Sequence, residues 1–238
     1  MDIILSGYGQ MGKMIHSLTA DYKISVLDHV DEYDYQRLSI LGKADAVVDF
    51  SHPAMLPHLA DYIKRHGSAL CCGTTGYGEE EKALLREISA YGPVLYSANF
   101  SLGIAVFRKV LAQISSVLLP SFDVEIVETH HKRKADSPSG TAKILADAVD
   151  PEHKLKRISG REGMCGARPK DEMGIFAQRG GTVAGRHTVS FFGEDEILSI
   201  THEAASRRVF AAGALCAAQA LYGKPPGLYT LDDILFNF

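Results

Sequence analysis

The sequence has few cysteines, no long apolar run and no surplus of positive charge. Its four cysteines are Cys71, Cys72, Cys165 and Cys216, and no two of them form a C-x-x-C pair. A disulfide between the adjacent Cys71 and Cys72 would be strained, so we expect a reduced, cytoplasmic protein. The N-terminal segment MDIILSGYGQ lacks the basic residues and long apolar core of a signal peptide. No run approaches the length of a membrane span, so we expect no membrane partner.

The charge balance argues against a nucleic-acid partner. The 238 residues include 29 Asp and Glu and 25 Lys and Arg, which gives a formal net charge of -4. A mildly acidic chain has no general attraction to nucleic acid or to anionic membranes. The length suffices for one large domain or two modest ones, and a hydrophobic content of 46% is ordinary for a globular protein.

The first hundred residues alternate short apolar runs with helical patterns. The helical patterns include residues 54–66 and 79–91, and the apolar runs are residues 2–6, 24–28, 46–50, 69–72 and 94–97. Each run is too short for a helix and continuous enough for a strand buried on both faces. Such alternation predicts a parallel α/β sheet of the Rossmann-like kind, which binds ligands at the carboxyl ends of its strands.

After residue 99 the pattern changes to that of a separate α+β unit. A long apolar helix is predicted over residues 102–119, a half-exposed strand over 122–129 and an antiparallel hairpin over 186–192 and 196–202. A second sheet of mixed or antiparallel strands follows from this pattern. An alanine-rich helix over residues 206–222 ends before Pro225, and we expect it to pack back on the first domain with the tail. We therefore predict one domain of residues 1–100 and 208–238, and a second of residues 101–207.

The first strand runs into a glycine-rich turn that is typical of dinucleotide sites. Gly7-Tyr8-Gly9-Gln10-Met11-Gly12 has the form G-x-G-x-x-G, and Asp28 follows Gly7 by 21 residues, at the end of the second predicted strand. The glycines permit a tight turn, close approach of a pyrophosphate and close packing of helix on strand, while the acid accepts hydrogen bonds from a ribose. The competing interpretation is a tight turn without a ligand.

The cofactor preference stays open between NADH and NADPH. Asp28 favours NAD, because its charge repels a 2′-phosphate. No Arg or Lys follows it directly, so use of NADP would need His29 or a more distant cation such as Lys13. We lean towards NAD, with use of both cofactors left open.

Two later strand tips are further candidates for cofactor contacts. These are Gly73-Thr74-Thr75 and Ser97-Ala98-Asn99-Phe100. Near a nicotinamide ring they would supply backbone and amide hydrogen bonds, and ordinary turn chemistry explains them equally well.

The segment THHKRK, residues 129–134, concentrates two histidines and three cations between a predicted strand and a predicted helix start. We call it the basic segment. Ser137 followed by Pro138 resembles an N-cap with a first-turn proline. A helix N-terminus offers free amides and partial positive charge, and Gly140 leaves room for a ligand to approach them. The hydroxyls of Ser139 and Thr141 add donors.

These features together predict a carboxylate-binding pocket with a proton donor, since histidine can deliver a proton near neutral pH. A solvated surface patch is the usual alternative for such a run. We expect no metal, because no Cys, His or carboxylate stands at ligand spacing around the two histidines. With a hydride-carrying cofactor, the pocket indicates reduction of a small carboxylated C=N, C=O or activated C=C substrate.

Residues 125–142, EIVETHHKRKADSPSGTA, resemble the signature of the 4-hydroxy-tetrahydrodipicolinate reductase (dihydrodipicolinate reductase) family. That signature is E-[IV]-x-E-x-H-x-x-x-K-x-D-x-P-S-G-T-A, and every fixed position is met. DFSHP, CGTTG, SANFS, RGGTVAGRHTV and ITHEAASR also occur in the family's order. The resemblance implies a dehydrating reduction of 4-hydroxy-tetrahydrodipicolinate to tetrahydrodipicolinate with NADH or NADPH, on the diaminopimelate route to lysine.

The resemblance also implies roles for individual residues. His130 matches the family's catalytic acid/base, and Lys134 matches a second proton donor that also holds a substrate carboxylate. His131, Gly140 and Thr141 match substrate contacts. The cofactor contacts match Gly7 to Gly12, Asp28, Gly73 to Thr75 and Ser97 to Phe100. The family's plan implies a homotetramer built through the second domain.

Some points stay open at this stage. Arg207 falls where the family has an arginine near the substrate, and Lys132 and Arg133 have no assigned role. Residues 33–42 match the longer family members poorly, so nothing is transferred there.

His130 and Lys134 are about 13 Å apart in an extended strand, so the chain must turn between them or the substrate must lie between them. A related amino-acid dehydrogenase and a regulator that senses NADH are the competing functions.

Overall fold

A computed structural model describes residues 1–236, which form two compact units. The first unit contains Met1–Ser101 together with the described residues from Arg208 onward, and the second contains Leu102–Arg207. Residues 237 and 238 of the predicted segment 208–238 lie outside the described residues.

The first unit is built on a parallel sheet. Its strands are β1 (Asp2–Ser6), β2 (Ser25–Val30), β3 (Ala46–Asp49), β4 (Ala69–Cys72), β5 (Pro93–Tyr96) and β11 (Gly227–Tyr229). They lie in the order β11-β5-β4-β3-β1-β2, and all neighbouring pairs are parallel. Every residue of β3 and β4 is buried, as their continuous apolar runs predict.

Helices and short 3₁₀ turns connect these strands. The helices are α1 (Gln10–Leu18), α2 (Leu56–His66), α3 (Glu79–Ile88), α6 (Arg208–Leu221) and α7 (Leu231–Leu235), and the 3₁₀ turns are Thr19–Tyr22, Tyr35–Ser39 and Pro53–Met55. Leu59 and Ile63 of α2 pack in one core with Val47 and Leu70. The alanine-rich α6 packs against α1 and β4. Because all strands are parallel, their carboxyl ends share one edge of the sheet, and the loops that follow the strands lie there.

The second unit is built on a mixed sheet. Its strands are β6 (Asp123–His130), β7 (Lys156–Ile158), β8 (Glu172–Arg179), β9 (Gly185–Phe192) and β10 (Ile197–Ala204), in the order β10-β9-β6-β8-β7. β6 pairs with β8 in parallel and with β9 antiparallel. Helices α4 (Leu102–Leu118) and α5 (Gly140–Val149) cover one face through a core that includes Leu111 and Leu145. The two units confirm the predicted fold class, a parallel α/β sheet followed by a unit with a mixed sheet.

Two physical properties of the expected environment can be described for residues 1–236. Within that range no helix is both long and apolar enough to cross a membrane. All four cysteines are free thiols, and Cys71 and Cys72 are buried side by side in β4. Burial raises the pKa of both thiols.

Candidate active site

The glycine turn of the first unit is fixed by the fold at two of its three glycines. Gly7 has a φ of +86°, and an added Cβ there would lie 2.5 Å from the Phe50 carbonyl oxygen. A Cβ on Gly12 would lie 2.0 Å from the Gly7 carbonyl oxygen, as expected where a helix packs closely on a strand. A Cβ on Gly9 would meet no described heavy atom within 4 Å. The fold therefore requires Gly7 and Gly12, whereas the surface beside Gly9 stays open.

That open surface lies at the N-terminus of α1, where a dinucleotide pyrophosphate fits by charge. Gly9 is the N-cap, and the first turn of the helix carries no acidic residue in its described sequence. Free amides and the partial positive charge of a helix start favour a phosphate. Tyr8 stacks its ring on His29 at 3.9 Å, while Gln10 is exposed and Met11 is half-buried. The residues present thus fit the predicted group.

Asp28 differs from its predicted setting in position and partner. Strand β2 continues to Val30, and Asp28 pairs with Ile4 two residues before the strand ends. Both carboxylate oxygens accept hydrogen bonds from Nη2 of Arg37, at 2.6 and 2.5 Å. The cation beside the acid is therefore Arg37, nine residues further along the chain, in addition to the predicted candidates His29 and Lys13.

The second predicted cofactor segment, residues 73–75, presents only part of its side chains. The Thr74 hydroxyl is buried, donates to Oδ2 of Asp49 at 2.6 Å and accepts from the Ser51 amide at 2.9 Å. Asp49 itself is fully buried at the end of β3. Gly73 is half-buried and Thr75 is exposed at the sheet edge. The buried Thr74 side chain thus stabilises the loop through its hydrogen bonds to Asp49 and Ser51. Gly73 and Thr75 are the residues of this segment that solvent or a ligand can reach.

The third predicted cofactor segment, residues 97–100, forms a tight hydrogen-bonded turn after β5. The Ser97 hydroxyl donates to the Asn99 carbonyl oxygen at 2.7 Å, and Oδ1 of Asn99 accepts from the Ser101 amide at 2.8 Å. Ala98 is exposed, whereas Phe100 is buried. The structure therefore brings the glycine turn and the two strand-tip segments to one edge of the sheet, although Thr74 and Phe100 are buried.

In the second unit, a buried carboxylate holds the predicted catalytic histidine. Glu128 and His130 lie on the buried face of β6, and Glu128 Oε2 is 2.5 Å from His130 Nδ1. Arg179 of β8 donates to both oxygens of Glu128 at 2.8 Å. Burial alone would raise the pKa of Glu128, but the hydrogen bonds from Arg179, His130 and the Ser139 amide bring it below its ordinary value. Glu128 and Arg179 were not among the predicted site residues.

The geometry defines which nitrogen of His130 is engaged by Glu128. An ionised carboxylate only accepts hydrogen bonds, so Nδ1 carries the proton that Glu128 receives. Nε2 lies beside Gly185, where an added Cβ would come within 3.1 Å of it. The lack of a side chain at residue 185 therefore keeps Nε2 approachable, and Nε2 is the atom that can exchange a proton.

Helix α5 starts two residues later than predicted. Its N-cap is Ser139, whose hydroxyl accepts from the Ala142 amide at 3.1 Å, and Ser137 precedes the helix. Ser139 is buried and its hydroxyl also contacts His187 Nε2 at 3.1 Å. The predicted N-cap at Ser137 is wrong, because Ser139 caps the helix. The Ser139 hydroxyl, predicted as a donor to a ligand, has Ala142 and His187 as its partners in this structure.

The chain turns directly after His130, so the two predicted proton donors, His130 and Lys134, do not lie along one extended strand. The Lys134 amide donates to the His131 carbonyl oxygen at 3.1 Å, which closes a turn over Lys132 and Arg133. Both of these residues are exposed. The ammonium of Lys134 pairs with Oδ1 of the exposed Asp136 at 2.7 Å.

The remaining predicted substrate residues border the same loop. Gly140 is exposed at the start of α5, and an added Cβ would meet no described atom within 4 Å. Thr141 is half-buried in the first turn. Burial, followed by the charges of Arg133 and Arg207, lowers the pKa of His131. Arg207 thus lies close enough for its charge to act on His131. Among residues 1–236, no three His, Cys, Asp or Glu side chains are grouped to hold a metal ion.

A glycine-turn parallel sheet and a second unit with a carboxylate-held histidine beside a basic loop define the class of nicotinamide-dependent oxidoreductases. Comparison with known proteins identifies the group within this class. The N-terminal model of dihydrodipicolinate reductase matches residues 1–100, and the C-terminal model matches residues 103–235. The chain belongs to the dihydrodipicolinate reductase family, which confirms the predicted resemblance.

Individual relatives align with this chain over nearly their whole length. The 4-hydroxy-tetrahydrodipicolinate reductase of Campylobacter hominis is 40% identical over 247 residues, covering 98% of this chain and 95% of that protein. The Clostridium tetani protein of the same name is 42% identical over 240 residues, covering 95% of this chain and 93% of that protein.

Solved structures show the same fold at lower identity. Dipicolinate-bound dihydrodipicolinate reductase from Paenisporosarcina sp. TG-14 has a TM-score of 0.76 at 21% identity, over 99% of each chain. Diaminopimelate (DAP) dehydrogenase of C. glutamicum, in complex with DAP, has a TM-score of 0.54 at 11% identity, over 97% of this chain and 92% of that one. At such identities the likeness concerns the fold alone.

Proposed function

We propose that the protein performs the reaction of its family through the buried Glu128–His130 pair. It is a 4-hydroxy-tetrahydrodipicolinate reductase of the lysine and diaminopimelate pathway, given about 40% identity to such reductases over the full chain. The substrate takes up a hydride and a proton and loses water, which gives tetrahydrodipicolinate. The nicotinamide cofactor supplies the hydride when it is bound. The single observation that carries the assignment of the proton is the hydrogen bond between Glu128 and His130.

In this proposal Glu128 and Arg179 position His130, and His130 exchanges the proton at Nε2. Glu128 is fully buried, so its hydrogen bond is strong and its direction is fixed. The fixed Nδ1–H leaves Nε2 directed towards the space beside Gly185. General acid–base catalysis of this kind contributes about 10²- to 10⁴-fold in rate.

Lys134 and the start of α5 bind the substrate carboxylates in this proposal. Lys134 stands at the far end of the turn from His130, where it pairs with the exposed Asp136. A substrate carboxylate replaces Asp136 as the partner of the ammonium, and Lys134 is also the second proton donor. The amides of Gly140 and Thr141 at the helix start, together with His131 and Arg207, favour an anionic ligand.

The glycine-turn unit binds the cofactor in this proposal. Support comes from Gly9, where only open space lies next to the described atoms at the start of α1. Gly73, Thr75 and Ala98 offer accessible backbone at neighbouring strand ends. The choice between NADH and NADPH depends on the surroundings of Asp28.

The direct test is turnover by the purified protein. 4-Hydroxy-tetrahydrodipicolinate is generated in the cuvette by a coupling enzyme, and the loss of nicotinamide absorbance is followed with NADH and with NADPH separately. We expect substrate-dependent oxidation of at least one cofactor. A folded protein that oxidises neither would overturn the proposal.

A homotetramer assembled through the second unit is part of this proposal. Strand β10 is an edge strand of eight residues, and Ile197, Leu198 and the neighbouring Phe192 are exposed there. A long exposed edge with apolar side chains favours association, so a partner chain is expected to cover it. Sedimentation equilibrium measures the mass directly, and a monomer at micromolar concentration would contradict this part.

A cytoplasmic location is also proposed. Four free thiols, two of them buried side by side, are compatible with a reducing compartment. Fractionation of the source cells tests this, since recovery in an oxidising compartment would contradict it.

A further inference from the structure

We propose that Arg37 is the residue through which this protein admits NADPH, by binding the 2′-phosphate of the cofactor beside Asp28. The inference rests on the proposed use of a nicotinamide cofactor by the glycine-turn unit. It adds a residue that decides between the two cofactors, in the segment 33–42, which matches the longer family members poorly.

The guanidinium of Arg37 contacts Asp28, the acid proposed to bind the ribose. Nη2 of Arg37 donates to both oxygens of Asp28, at 2.6 and 2.5 Å. Nη1 donates to Oδ2 of Asp34 at 3.1 Å and to the His29 carbonyl oxygen at 3.3 Å. The Arg37 side chain remains 44% exposed, whereas that of Asp28 is 15% exposed. The cation is thus the more accessible member of the pair.

The segment that carries Arg37 is held in place on both sides. Leu38 is buried in the core beneath the 3₁₀ turn Tyr35–Ser39. The guanidinium of Arg65 on α2 donates to the carbonyl oxygens of Leu38 and Ser39, at 2.7 and 3.2 Å. The position of Arg37 is therefore built into the fold.

The charge of the pair explains how one site accepts both cofactors. A lone Asp28 would repel a 2′-phosphate, but the bound guanidinium neutralises its charge. The phosphate would replace the exposed Asp34 as the partner of Nη1, while Nη2 stays on Asp28. A carboxylate has about four acceptor positions. Arg37 occupies one on each oxygen and the His29 amide occupies the second on Oδ1, so Oδ2 of Asp28 can still accept from a ribose hydroxyl of NADH.

The two cations considered from the sequence are differently engaged. The His29 ring stacks on Tyr8 at 3.9 Å, and its amide donates to Asp28 at 2.8 Å. The Lys13 ammonium lies 6.0 Å from the centre of the Tyr8 ring. Both side chains therefore lie near Tyr8 of the glycine turn, and Arg37 is the cation whose side chain contacts the acid.

The experiment measures equilibrium binding of NADPH and NADH without the dicarboxylate substrate, by fluorescence titration of the full-length protein. The variants are Arg37→Gln, the charge-keeping Arg37→Lys and the control Arg86→Gln, an exposed arginine on α3. We expect the wild type to bind both cofactors with Kd values within about tenfold of each other. Arg37→Gln should weaken NADPH by about tenfold to a hundredfold and leave NADH within about threefold, because a charge-assisted contact to phosphate is lost. Arg37→Lys should keep part of the NADPH affinity, and Arg86→Gln should match the wild type.

An unchanged ratio of the two affinities in Arg37→Gln would overturn the inference. An equal loss of both cofactors would also overturn it, since that result indicates a structural role for the 3₁₀ turn. Because no substrate is present, the outcome is independent of turnover. A protein that binds the cofactors as described but reduces nothing would refute the proposed function and leave the role of Arg37 intact.

Discussion

Glu128 Oε2 and His130 Nδ1 lie 2.5 Å apart on the buried face of a single strand. Side chains two residues apart on a strand share a face, so the alternation that buries Val124 and Ile126 carries these two polar residues into the interior as well. Buried polar groups are costly without partners, and here Arg179 and the Ser139 amide complete the set around the carboxylate. The core of the second unit thus ends in a fixed acid–base group.

The first prediction concerns Glu128→Gln, which keeps the shape of the side chain and removes its charge. We expect kcat to fall at least about tenfold with little change in KM for the dicarboxylate, because the ring of His130 loses the acceptor that fixes its tautomer. Steady-state kinetics measure both constants. The matched control is Glu125→Gln, which removes ion pairs with Arg161 and Arg168 on the other face of the same strand. Equal kcat losses in the two variants would argue for a general effect on the strand.

The second prediction separates Lys134 from its partner Asp136. Lys134→Ala should raise KM for the dicarboxylate and lower kcat together, because the residue is proposed both to bind a carboxylate and to donate a proton. Asp136→Asn should leave kcat unchanged and lower KM by up to about fivefold, since it removes an exposed competitor for the ammonium. An increase of KM in Asp136→Asn would show that the pair is needed as it stands.

The third prediction contrasts two glycines of the same turn. Gly12→Ala should destabilise the protein by about 1–3 kcal/mol, because its methyl group would meet the Gly7 carbonyl oxygen. Gly9→Ala should change stability by less than about 1 kcal/mol and weaken both cofactors at least about tenfold, since its methyl group occupies the surface proposed for the pyrophosphate. Thermal unfolding and cofactor titration give the two readouts. Normal cofactor binding by Gly9→Ala would remove the pyrophosphate from this position.

The fourth prediction concerns stability at acid pH. Burial lowers the pKa of His187 from 6.5 to about 4. Between pH 6.5 and pH 4, His187 therefore binds a proton in the unfolded chain but not in the folded protein. The stability present above pH 6.5 is lost as the pH falls towards 4. This group accounts for about 2 kcal/mol of unfolding free energy between pH 7 and pH 5.

His187→Gln isolates that contribution. Glutamine does not titrate and can keep the contact of the ring nitrogen with the Ser139 hydroxyl. Denaturant unfolding at pH 7 and pH 5 should therefore show a smaller loss of stability in the variant than in the wild type. Parallel pH dependence of the two proteins would show that folding leaves the pKa of His187 unchanged and would contradict the prediction.

The sequence predicts most of the first unit because its signals are local. Continuous apolar runs predict β1, β3 and β4 to within one residue at each end, and the glycine spacing predicts the turn into α1. Strand β8 is missed because EMGIFAQR combines a glycine with apolar neighbours and shows no clean alternation. The sixth strand of the parallel sheet, β11, has only three residues, too few for a periodic signal.

The candidate site residues that belong to one sequence motif are predicted, whereas those that come together from distant segments of the chain are missed. His130 and Lys134 stand in one short segment, but Arg179 contacts Glu128 from 51 residues away and Arg37 contacts Asp28 from the connection between β2 and β3. Glu128 did carry a signal, since a carboxylate at a core-facing position of an alternating strand needs a partner. The N-cap at Ser139 was misplaced because Ser137 and Pro138 imitate a helix start.

In the proposed reaction, this protein reduces its dicarboxylate substrate with a proton delivered by His130. The most direct measurement is kcat and KM of His130→Gln beside wild type, with cofactor oxidation followed during steady supply of 4-hydroxy-tetrahydrodipicolinate, and with His153→Gln as the exposed control. We predict a fall in kcat of about 10²- to 10⁴-fold with a modest change in KM, and an unaffected control. An effect confined to KM, or a fully active His130→Gln, would contradict the account.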